Sequence, residues 1–370
     1  MNLKKVIIAP DSFKGVLSSK EVADIIAGEV KKAYPDCEIV KMPIADGGEG
    51  SVDIILSAIG GEKYTAQVLS PDDRQIGASF GIAANGAAIL EMAQSSGITR
   101  QSGFHPMTSS TFGFGQLILA ALDMGAREFI LCIGGSATTD GGCGMAAALG
   151  VVFTDEQERG FVPCGGTLGE IAHIDDSGMD ERVRESRFTV MCDVDNPLYG
   201  KSGAAYVYGP QKGASREQVQ FLDEGLRHLG ALYSSHFGKD FADKPGAGAA
   251  GGLGAGCMAF LEAELVSGID AILKLCDFKK HCADADLVIT GEGKIDDQSF
   301  YGKVLSGVLR DSGDVPVISI CGVCDYDDAA LKQYDLTVFE ASEGISPEEC
   351  LSEPAKYLSI AARKAMLTMK

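Results

Sequence analysis

Five short apolar runs, each followed by polar or glycine-rich residues, constrain the fold of this chain more than any other feature. They occupy residues 5–10, 38–44, 286–290, 315–320 and 335–339. Short runs rich in β-branched residues are typical of strands buried in a parallel sheet, and helical or loop segments separate these five. The pattern therefore predicts an α/β fold with a flavodoxin-like, five-stranded parallel sheet in the strand order 2-1-3-4-5.

The long segment between the second and third runs has a different pattern. From about residue 61 the chain resembles antiparallel strands, and Asn85-Gly86 is a strong hairpin signal. Further apolar runs at 128–133 and 187–192 end in glycine-rich or acidic residues. This segment therefore predicts a second, mixed α/β domain.

The order of the two patterns predicts the domain boundaries. We expect a discontinuous domain of residues 1–60 plus 281–370, with residues 61–280 inserted after strand two. The alternative is two consecutive domains divided near residue 150. It is less favoured because the first two strands would then form an undersized sheet without partners.

Local signals predict where several helices begin. Ser18 with Glu21, and Ser215 with Gln218, fit the capping-box pattern in which two side chains satisfy free backbone N–H groups. Another helical pattern runs from about residue 51 to residue 59. Pro354 should break or kink the helical pattern near the C-terminus.

Composition bounds the class of partner. The chain has 32 Lys and Arg against 52 Asp and Glu, a net charge of -20, which is the wrong sign for nucleic acid. No run is long and apolar enough for a signal peptide or a membrane span. The eleven cysteines are scattered without a paired framework, which favours reduced thiols. We therefore expect a cytoplasmic protein that binds neither nucleic acid nor membrane.

Three loops should meet where the strand order of the predicted sheet reverses, which is where open α/β sheets bind ligands. They are Asp11–Gly15 after strand one, Asp46–Glu49 after strand two and Thr290–Asp297 after strand three. Together they bring carboxylates, two lysines and glycines, a set that suits a polyphosphate bound with Mg²⁺. The alternative is that polar residues merely follow buried strands and glycines merely turn the chain.

The predicted inserted domain offers a second set of candidates. The loop 134–142 combines glycines with Ser136, Thr138 and Asp140 before a short helical pattern, and its hydroxyl and N–H groups suit an anion. Asp193 and Asp195 follow the run at 187–192 and suit a metal or a substrate hydroxyl. The structural alternatives are an N-terminal helix cap for the loop and a side-chain-stabilised turn for the two aspartates.

Two further motifs are not expected to be functional. The GAGAAG run at 246–251 matches a dinucleotide fingerprint, but no strand precedes it. Cys321 and Cys324 form a C-x-x-C pattern, yet Asp325 and Asp327 should raise the thiol pKa, so two packed cysteines are the favoured interpretation. A Walker loop is also missing from the sequence.

Six long motifs, in this order and spacing, resemble the type I glycerate kinase family over residues 3 to 325. They are APDSFKG, PIADGGEG, GGSATTDGG, DVDNPLYG with GPQKGA, GAGAAGGLGAG, and DLVITGEGKID with Gly302-Lys303. The resemblance implies ATP-dependent phosphorylation of D-glycerate, with 2-phosphoglycerate favoured over 3-phosphoglycerate. It also implies two α/β domains, one inserted in the other, with the active site in the cleft between them.

The resemblance and the needs of a kinase together suggest roles for the loop residues. Lys14 is expected to meet phosphoryl or substrate charge, Asp46 and Glu292 to bind Mg²⁺, and Asp193 to act on the hydroxyl. The candidate catalytic residues are Lys14, Asp46 and Asp193. The candidate substrate- or phosphate-binding residues are Ser12, Gly47, Gly48, Ser136, Thr138, Asp140, Gly291 and Lys294. The candidate metal ligands are Asp46, Glu292 and Asp296.

The expected cofactors are ATP and Mg²⁺, the expected partner is the small molecule D-glycerate, and the chain should be a monomer or a homodimer. Two other functions remain open from the residues alone. One is a two-lobed protein that binds a small anion without catalysis. The other is an NAD-linked dehydrogenase, which the misplaced glycine fingerprint disfavours.

Overall fold

The computed structural model describes residues 3–13, 15–44, 50–300 and 303–369. The chain divides into two compact units. Unit 1 comprises Met1–Ala45, Ser57–Ile59 and Ile269–Lys370, and unit 2 comprises Asp46–Leu56 and Gly60–Gly268.

Strands and helices alternate through most of the described residues. The strands of this part of the chain are β1 (Lys5–Ile8), β2 (Glu38–Lys41), β3 (Gly61–Leu69), β4 (Gln75–Ala83), β5 (Ala88–Glu91), β6 (Glu128–Cys132), β7 (Val152–Thr154), β8 (Gly160–Phe161), β9 (His173–Asp175), β10 (Arg187–Met191), β11 (Glu264–Val266), β12 (Leu287–Thr290), β13 (Lys294–Ile295), β14 (Val317–Cys321), β15 (Val323–Cys324) and β16 (Thr337–Glu340). Its α-helices are α1 (Ser19–Ala33), α2 (Ser51–Ile59), α3 (Ala93–Ser96), α4 (Phe112–Asp123), α5 (Cys143–Ala148), α6 (Glu181–Arg184), α7 (Ala204–Tyr208), α8 (Arg216–Phe237), α9 (Ala249–Phe260), α10 (Gly268–Leu275), α11 (Phe278–Cys282), α12 (Val304–Asp311), α13 (Asp328–Leu331), α14 (Pro347–Ser352) and α15 (Pro354–Thr368).

Unit 1 is built on a five-stranded parallel sheet with the order β2-β1-β12-β14-β16. Every residue of β1, β12 and β14 is buried, whereas the edge strands β2 and β16 carry exposed residues. Strands covered on both faces need continuous apolar sequence, which is why the runs were visible in the sequence. The α/β class and the five-stranded parallel sheet are confirmed.

Helices α1 and α15 cover one face of this sheet. Val22 and Ile26 of α1 and Leu358 of α15 belong to one buried apolar cluster with the sheet residues. The Ser18 hydroxyl accepts a hydrogen bond from the Glu21 N–H at 3.2 Å, and the Glu21 carboxylate accepts one from the Ser18 N–H at 2.8 Å, so the predicted capping box is confirmed.

The C-terminal helical pattern is interrupted where the sequence predicted a break. Helix α14 ends at Ser352, and Pro354 is the first residue of α15. Proline is well tolerated at that position because the first N–H groups of a helix have no internal partner.

Unit 2 contains a six-stranded mixed sheet with the order β11-β10-β6-β5-β4-β3. Strands β5, β6, β10 and β11 are parallel to one another, and β3 and β4 are antiparallel. The run at 128–132 therefore lies in this sheet and not in the sheet of unit 1. The hairpin at Asn85-Gly86 is confirmed, with Gly86 at a φ of 87° and β4 and β5 antiparallel on either side.

Packing explains where the units divide. The first part of α2 belongs to unit 2 because Val52 and Leu56 cover β4 at Gly81, where a methyl group would lie only 2.9 Å from Leu56 Cδ1. Ile269 on α10 is buried in unit 1 and contacts α12 at Gly307. The later boundary consequently lies at residue 268, earlier than the expected 280.

Among the described residues, no helix combines the length and the apolar character needed to cross a bilayer.

Candidate active site

The loops after β1 and β12 run side by side at the carboxyl edge of the unit 1 sheet. The Asp11 N–H donates to the Gly291 carbonyl oxygen at 2.8 Å. A Cβ atom at Gly291 would clash with the Ile320 carbonyl oxygen of β14, so packing against β14 requires glycine at this position. Burial raises the pKa of the neighbouring Glu292 carboxyl group, and the charge of Asp11 adds to that rise. Two carboxylates are thus neighbours at one sheet edge.

Glu292 is a buried carboxylate, 6% exposed, at the start of the loop after β12. Its two oxygens accept hydrogen bonds from the Ser299 hydroxyl at 2.6 Å and from the Leu305 N–H at 3.1 Å. Burial raises the pKa of this carboxyl group, and these two hydrogen bonds oppose the rise. Because Leu305 is in the first turn of α12, Glu292 also fixes the start of that helix.

The other described candidates of unit 1 lie in the segments that follow β1 and β12. The Ser12 N–H donates to the Asp11 carboxylate at 2.6 Å. The Asp296 N–H donates to the Ser299 hydroxyl at 3.2 Å, which links Asp296 to Glu292. Lys294 is exposed and forms an ion pair of 2.8 Å with Asp325, which raises the pKa of the lysine.

Four predicted site residues, Lys14, Asp46, Gly47 and Gly48, lie outside the described residues. Their assignments stay predictions from the sequence.

In unit 2 the predicted anion-binding loop follows β6 and is largely buried. The Ser136 hydroxyl lies 3.1 Å from the Thr138 hydroxyl and accepts a hydrogen bond from the Thr138 N–H at 3.1 Å. It also donates to the Ala250 carbonyl oxygen at 3.2 Å. Ser136 and Thr138 are therefore brought together, in a loop whose shape is fixed by its own hydrogen bonds.

Asp140, at the end of this loop, is fully buried. Its carboxylate accepts hydrogen bonds from the Thr111 N–H and hydroxyl, both at 2.7 Å, and from the Gly144 N–H at 3.2 Å. Burial raises the pKa of this carboxyl group and the hydrogen bonds oppose the rise. The geometry is that of a cap joining α5 to the start of α4, the structural alternative considered for this loop.

The GAGAAG run has a packing role. Ala250, Gly251 and Gly252 have positive φ angles where α9 begins. A Cβ atom at Gly251 would clash with the Thr138 carbonyl oxygen, and one at Gly256 would lie 2.5 Å from the Gly141 carbonyl oxygen. These glycines let α9 approach the loop after β6, so their residue type follows from close backbone contact.

Sequence reasoning did not single out Lys212, which the structure places against the loop after β6. Lys212 ends a short 3-10 helix and is only 2% exposed. Its Nζ donates to the Thr138 carbonyl oxygen at 2.5 Å and to the Ser136 hydroxyl at 3.3 Å. Its presence in the GPQKGA motif was the available signal, but nothing local in the sequence predicts burial of a lysine.

Glu91 is a second residue that the sequence analysis missed. It ends β5, is 2% exposed, and accepts a hydrogen bond from the Val52 N–H at 2.6 Å, in the first turn of α2. The signal was a single carboxylate at the end of an apolar run. Glu91 thus holds the start of α2 as Glu292 holds the start of α12.

Asp193 is exposed and lies just after β10, at the carboxyl edge of the parallel part of the unit 2 sheet. Its Oδ1 accepts a hydrogen bond from the Gly268 N–H at 2.8 Å, at the start of α10. Asp195, two residues later, is also exposed.

The cysteine pair requires one correction. Asp325 does act to raise the pKa of Cys324, as expected, but a hydrogen bond from Cys321 outweighs it and lowers the pKa of Cys324 to about 7. All eleven cysteines are free thiols. The two cysteines therefore do lie together, with one thiol more acidic than predicted.

Comparison with known proteins gives concordant matches along the whole chain. The model of the glycerate kinase family matches residues 6–370. A glycerate kinase of Bacillus subtilis (strain 168) is 42% identical, over 99% of this chain and 98% of that protein. A glycerate 2-kinase of Escherichia coli (strain K12) is 42% identical over 90% of this chain and 88% of its own length.

A solved structure agrees with these matches. It is a crystal structure of a protein from Salmonella typhimurium LT2 that is described as glycerate kinase 2. The two structures superpose with a TM-score of 0.88 at 38% sequence identity, and the match covers 100% of this chain and 98% of the other.

Proposed function

The chain belongs to the glycerate kinase family, and from that premise we propose that it transfers the γ-phosphoryl group of ATP to D-glycerate, giving 2-phosphoglycerate. The family match over residues 6–370 carries this proposal. The choice of the 2-position is supported by the 42% identity to the glycerate 2-kinase of Escherichia coli.

Phosphoryl transfer needs cations around the transferred group and carboxylates that hold Mg²⁺. We assign Lys14 to the phosphoryl or substrate charge and Asp46, Glu292 and Asp296 to Mg²⁺. No group of three metal-ligating side chains occurs among the described residues. One or two carboxylates are enough for Mg²⁺ when phosphate and water oxygens complete the shell, and Asp11, whose N–H bonds to Gly291 next to Glu292, fits that need. Bound Mg²⁺ would neutralise charge on the phosphate oxygens.

We assign Asp193 to the glycerate hydroxyl. Its carboxylate is exposed at a strand end, where a substrate can reach it, and the Gly268 N–H orients it. A carboxylate in that position can accept the hydroxyl proton or align the hydroxyl for attack. We assign seven further residues to substrate or phosphate binding: Ser12, Gly47, Gly48, Ser136, Thr138, Gly291 and Lys294. The buried Asp140 instead stabilises its own loop through hydrogen bonds.

The decisive experiment supplies D-glycerate and MgATP to the purified protein and follows the products by phosphorus NMR. We expect ADP and 2-phosphoglycerate in equal amounts. A 3-phosphoglycerate resonance would change the product assignment alone. Binding of glycerate in a calorimeter without any ADP formation would instead favour the small-anion binding protein. Light scattering in the same buffer distinguishes the expected monomer or homodimer.

A further inference from the structure

Lys212 occupies an unusual environment for a lysine. Its side chain is almost completely buried, and its two hydrogen-bond partners, the Thr138 carbonyl oxygen and the Ser136 hydroxyl, are both uncharged. Among the described residues, no carboxylate oxygen lies within ion-pair distance of its Nζ. Burying an ammonium group without an ionic partner is costly, so a lysine retained there needs a reason other than stability.

The negative charge of Asp140 acts on Lys212 without forming an ion pair with it. Asp140 acts on Lys212 through space, but its carboxylate oxygens accept hydrogen bonds from Thr111, Gly142 and Gly144. The ammonium group has three N–H donors, and two of them have partners in the loop. Its charge is therefore only partly compensated by the protein.

The loop that Lys212 contacts lies where ligands bind in α/β sheets. Ser136 and Thr138 follow β6, at the carboxyl edge of the four parallel strands of unit 2. The loop itself carries hydroxyl and N–H groups but no cation. In a chain of net charge -20, an anion can bind there only if a nearby positive charge offsets the general repulsion.

We propose that Lys212 is a positioning residue whose buried ammonium group holds the Ser136–Thr138 loop and supplies the positive charge that draws an anionic substrate group to it. This inference rests on the proposed function, since the anions in question are the carboxylate of glycerate and the phosphates of the nucleotide. Both are oxygen anions, and the experiment distinguishes them.

The pH dependence follows from the same environment. Burial lowers the pKa of Lys212 to about 7, and Asp140 opposes that effect. Neither Ser136 nor Thr138 is charged, and the segment Pro210–Lys212 has no other charged side chain. Lys212 should therefore lose its charge as the pH rises through neutrality. The carboxylate of glycerate stays ionised over that range, so a change in its affinity reports on the protein.

The test compares Lys212→Met, which removes the charge, with Lys212→Arg, which keeps it at every accessible pH. Lys239→Met, at an exposed lysine of the same unit, is the matched control. For each protein we would measure kcat, the KM of D-glycerate and the KM of ATP between pH 6 and 9. We would also measure the shift in melting temperature that D-glycerate or ADP causes, which needs no turnover.

We expect Lys212→Met to raise the KM of one substrate by about 10-fold or more, as for a lost hydrogen bond to a charged group, with kcat within about 3-fold of wild type. A rise confined to the KM of D-glycerate identifies its carboxylate as the group that Lys212 attracts. A rise confined to the KM of ATP identifies the phosphates instead. In wild type the same KM should rise above about pH 7, in Lys212→Arg it should stay level, and Lys239→Met should follow wild type. The melting temperature of Lys212→Met without ligand reports separately on the two hydrogen bonds by which Lys212 holds the loop.

An unchanged KM in Lys212→Met, or a wild-type KM level from pH 6 to 9, would overturn the inference. A lower melting temperature with unaltered ligand-induced shifts would reduce Lys212 to a structural residue. If Lys212→Met does not fold, the pH profiles of wild type and Lys212→Arg decide. If the protein forms no phosphoglycerate but ligand-induced shifts still depend on Lys212, the proposed function fails and this inference stands.

Discussion

At the scale of single residues, the strand and loop ends of the two units carry two kinds of carboxylate. Asp193 is exposed and has a backbone hydrogen bond that orients it, so it can meet a substrate. Glu292, Asp140 and Glu91 are buried and accept backbone hydrogen bonds near helix starts. Residue type alone does not separate these two kinds of carboxylate, because burial and hydrogen-bond partners distinguish them.

Replacing Asp193 by Asn tests its role on the hydroxyl. The amide oxygen of Asn can still accept the hydrogen bond from Gly268, so the change removes charge and basicity with little else. We expect kcat to fall by roughly 10²- to 10⁴-fold, the usual range for an acid–base group, while ATP binding is kept. Asp195→Asn in the same loop is the control. Equal effects of the two variants in steady-state kinetics would remove the special role of Asp193.

Replacing Glu292 by Gln separates its contribution to activity from its contribution to stability. The amide oxygen of Gln can accept the hydrogen bond from the Leu305 N–H, and its amide nitrogen can donate to the Ser299 hydroxyl, so both contacts persist with the second one reversed in direction. Burial raises the pKa of Glu292 above its ordinary value of 4.5, so the stabilisation it gives is complete below about pH 4.5 and is lost as the pH rises through the raised pKa. At pH 7 the variant should therefore melt no lower than wild type, and the difference should vanish below pH 4.5.

The activity of Glu292→Gln should nevertheless fall if this carboxylate helps to hold Mg²⁺. Glu292→Ala, which loses both hydrogen bonds, should melt at a lower temperature than either protein. Thermal unfolding between pH 4 and 8, with kinetics at pH 7, gives both readouts. A fully active Glu292→Gln would leave Glu292 as a helix-start residue only.

At the scale of secondary-structure elements, the sequence predicted what is local. The run at 286–290 contains β12, and the run at 315–320 covers β14 except its last residue, because strands buried on both faces show as continuous apolar sequence. The capping box of α1 and the hairpin at Asn85-Gly86 depend on neighbouring residues and were also predictable. The contact of α9 with the loop after β6 and the burial of Lys212 could not be predicted, because both depend on residues that are distant in the sequence.

Gly251→Ala tests that contact between elements. The residue has a φ of 71°, and an added methyl group would clash with the Thr138 carbonyl oxygen. Gly238 has a similar φ of 65° with open space around it, so Gly238→Ala is a matched control that should cost only the left-handed conformation, about 1 to 2 kcal/mol. We expect Gly251→Ala to cost at least about 3 kcal/mol, because overpacking is added to that strain. Equal free energies of unfolding for the two variants would contradict the packing role of the glycine run.

At the scale of the whole molecule, the net charge opposes the proposed chemistry. A chain of net charge -20 must bind a nucleoside triphosphate and a carboxylate, both of which are also negatively charged. Long-range repulsion of this kind is screened by salt, whereas contacts within a site are screened much less. Binding therefore has to come from local positive groups, of which the lysines and a bound Mg²⁺ are the candidates.

Metal removal tests whether Mg²⁺ is one of those positive groups. Asp11 and Glu292 are carboxylates of two unit 1 loops that the hydrogen bond from the Asp11 N–H to the Gly291 carbonyl oxygen joins, so without a cation they would repel the phosphates that the reaction needs. We therefore expect activity to disappear in excess chelator and to return on titration with Mg²⁺.

Asp11→Asn should then need a higher Mg²⁺ concentration for half-maximal rate, because it removes one carboxylate from the edge where we place the ion. Asp284→Asn, an exposed aspartate of the same unit that pairs with Lys5, is the control and should keep the wild-type requirement. Full activity in excess chelator would show that the chain's own cations suffice to hold the nucleotide.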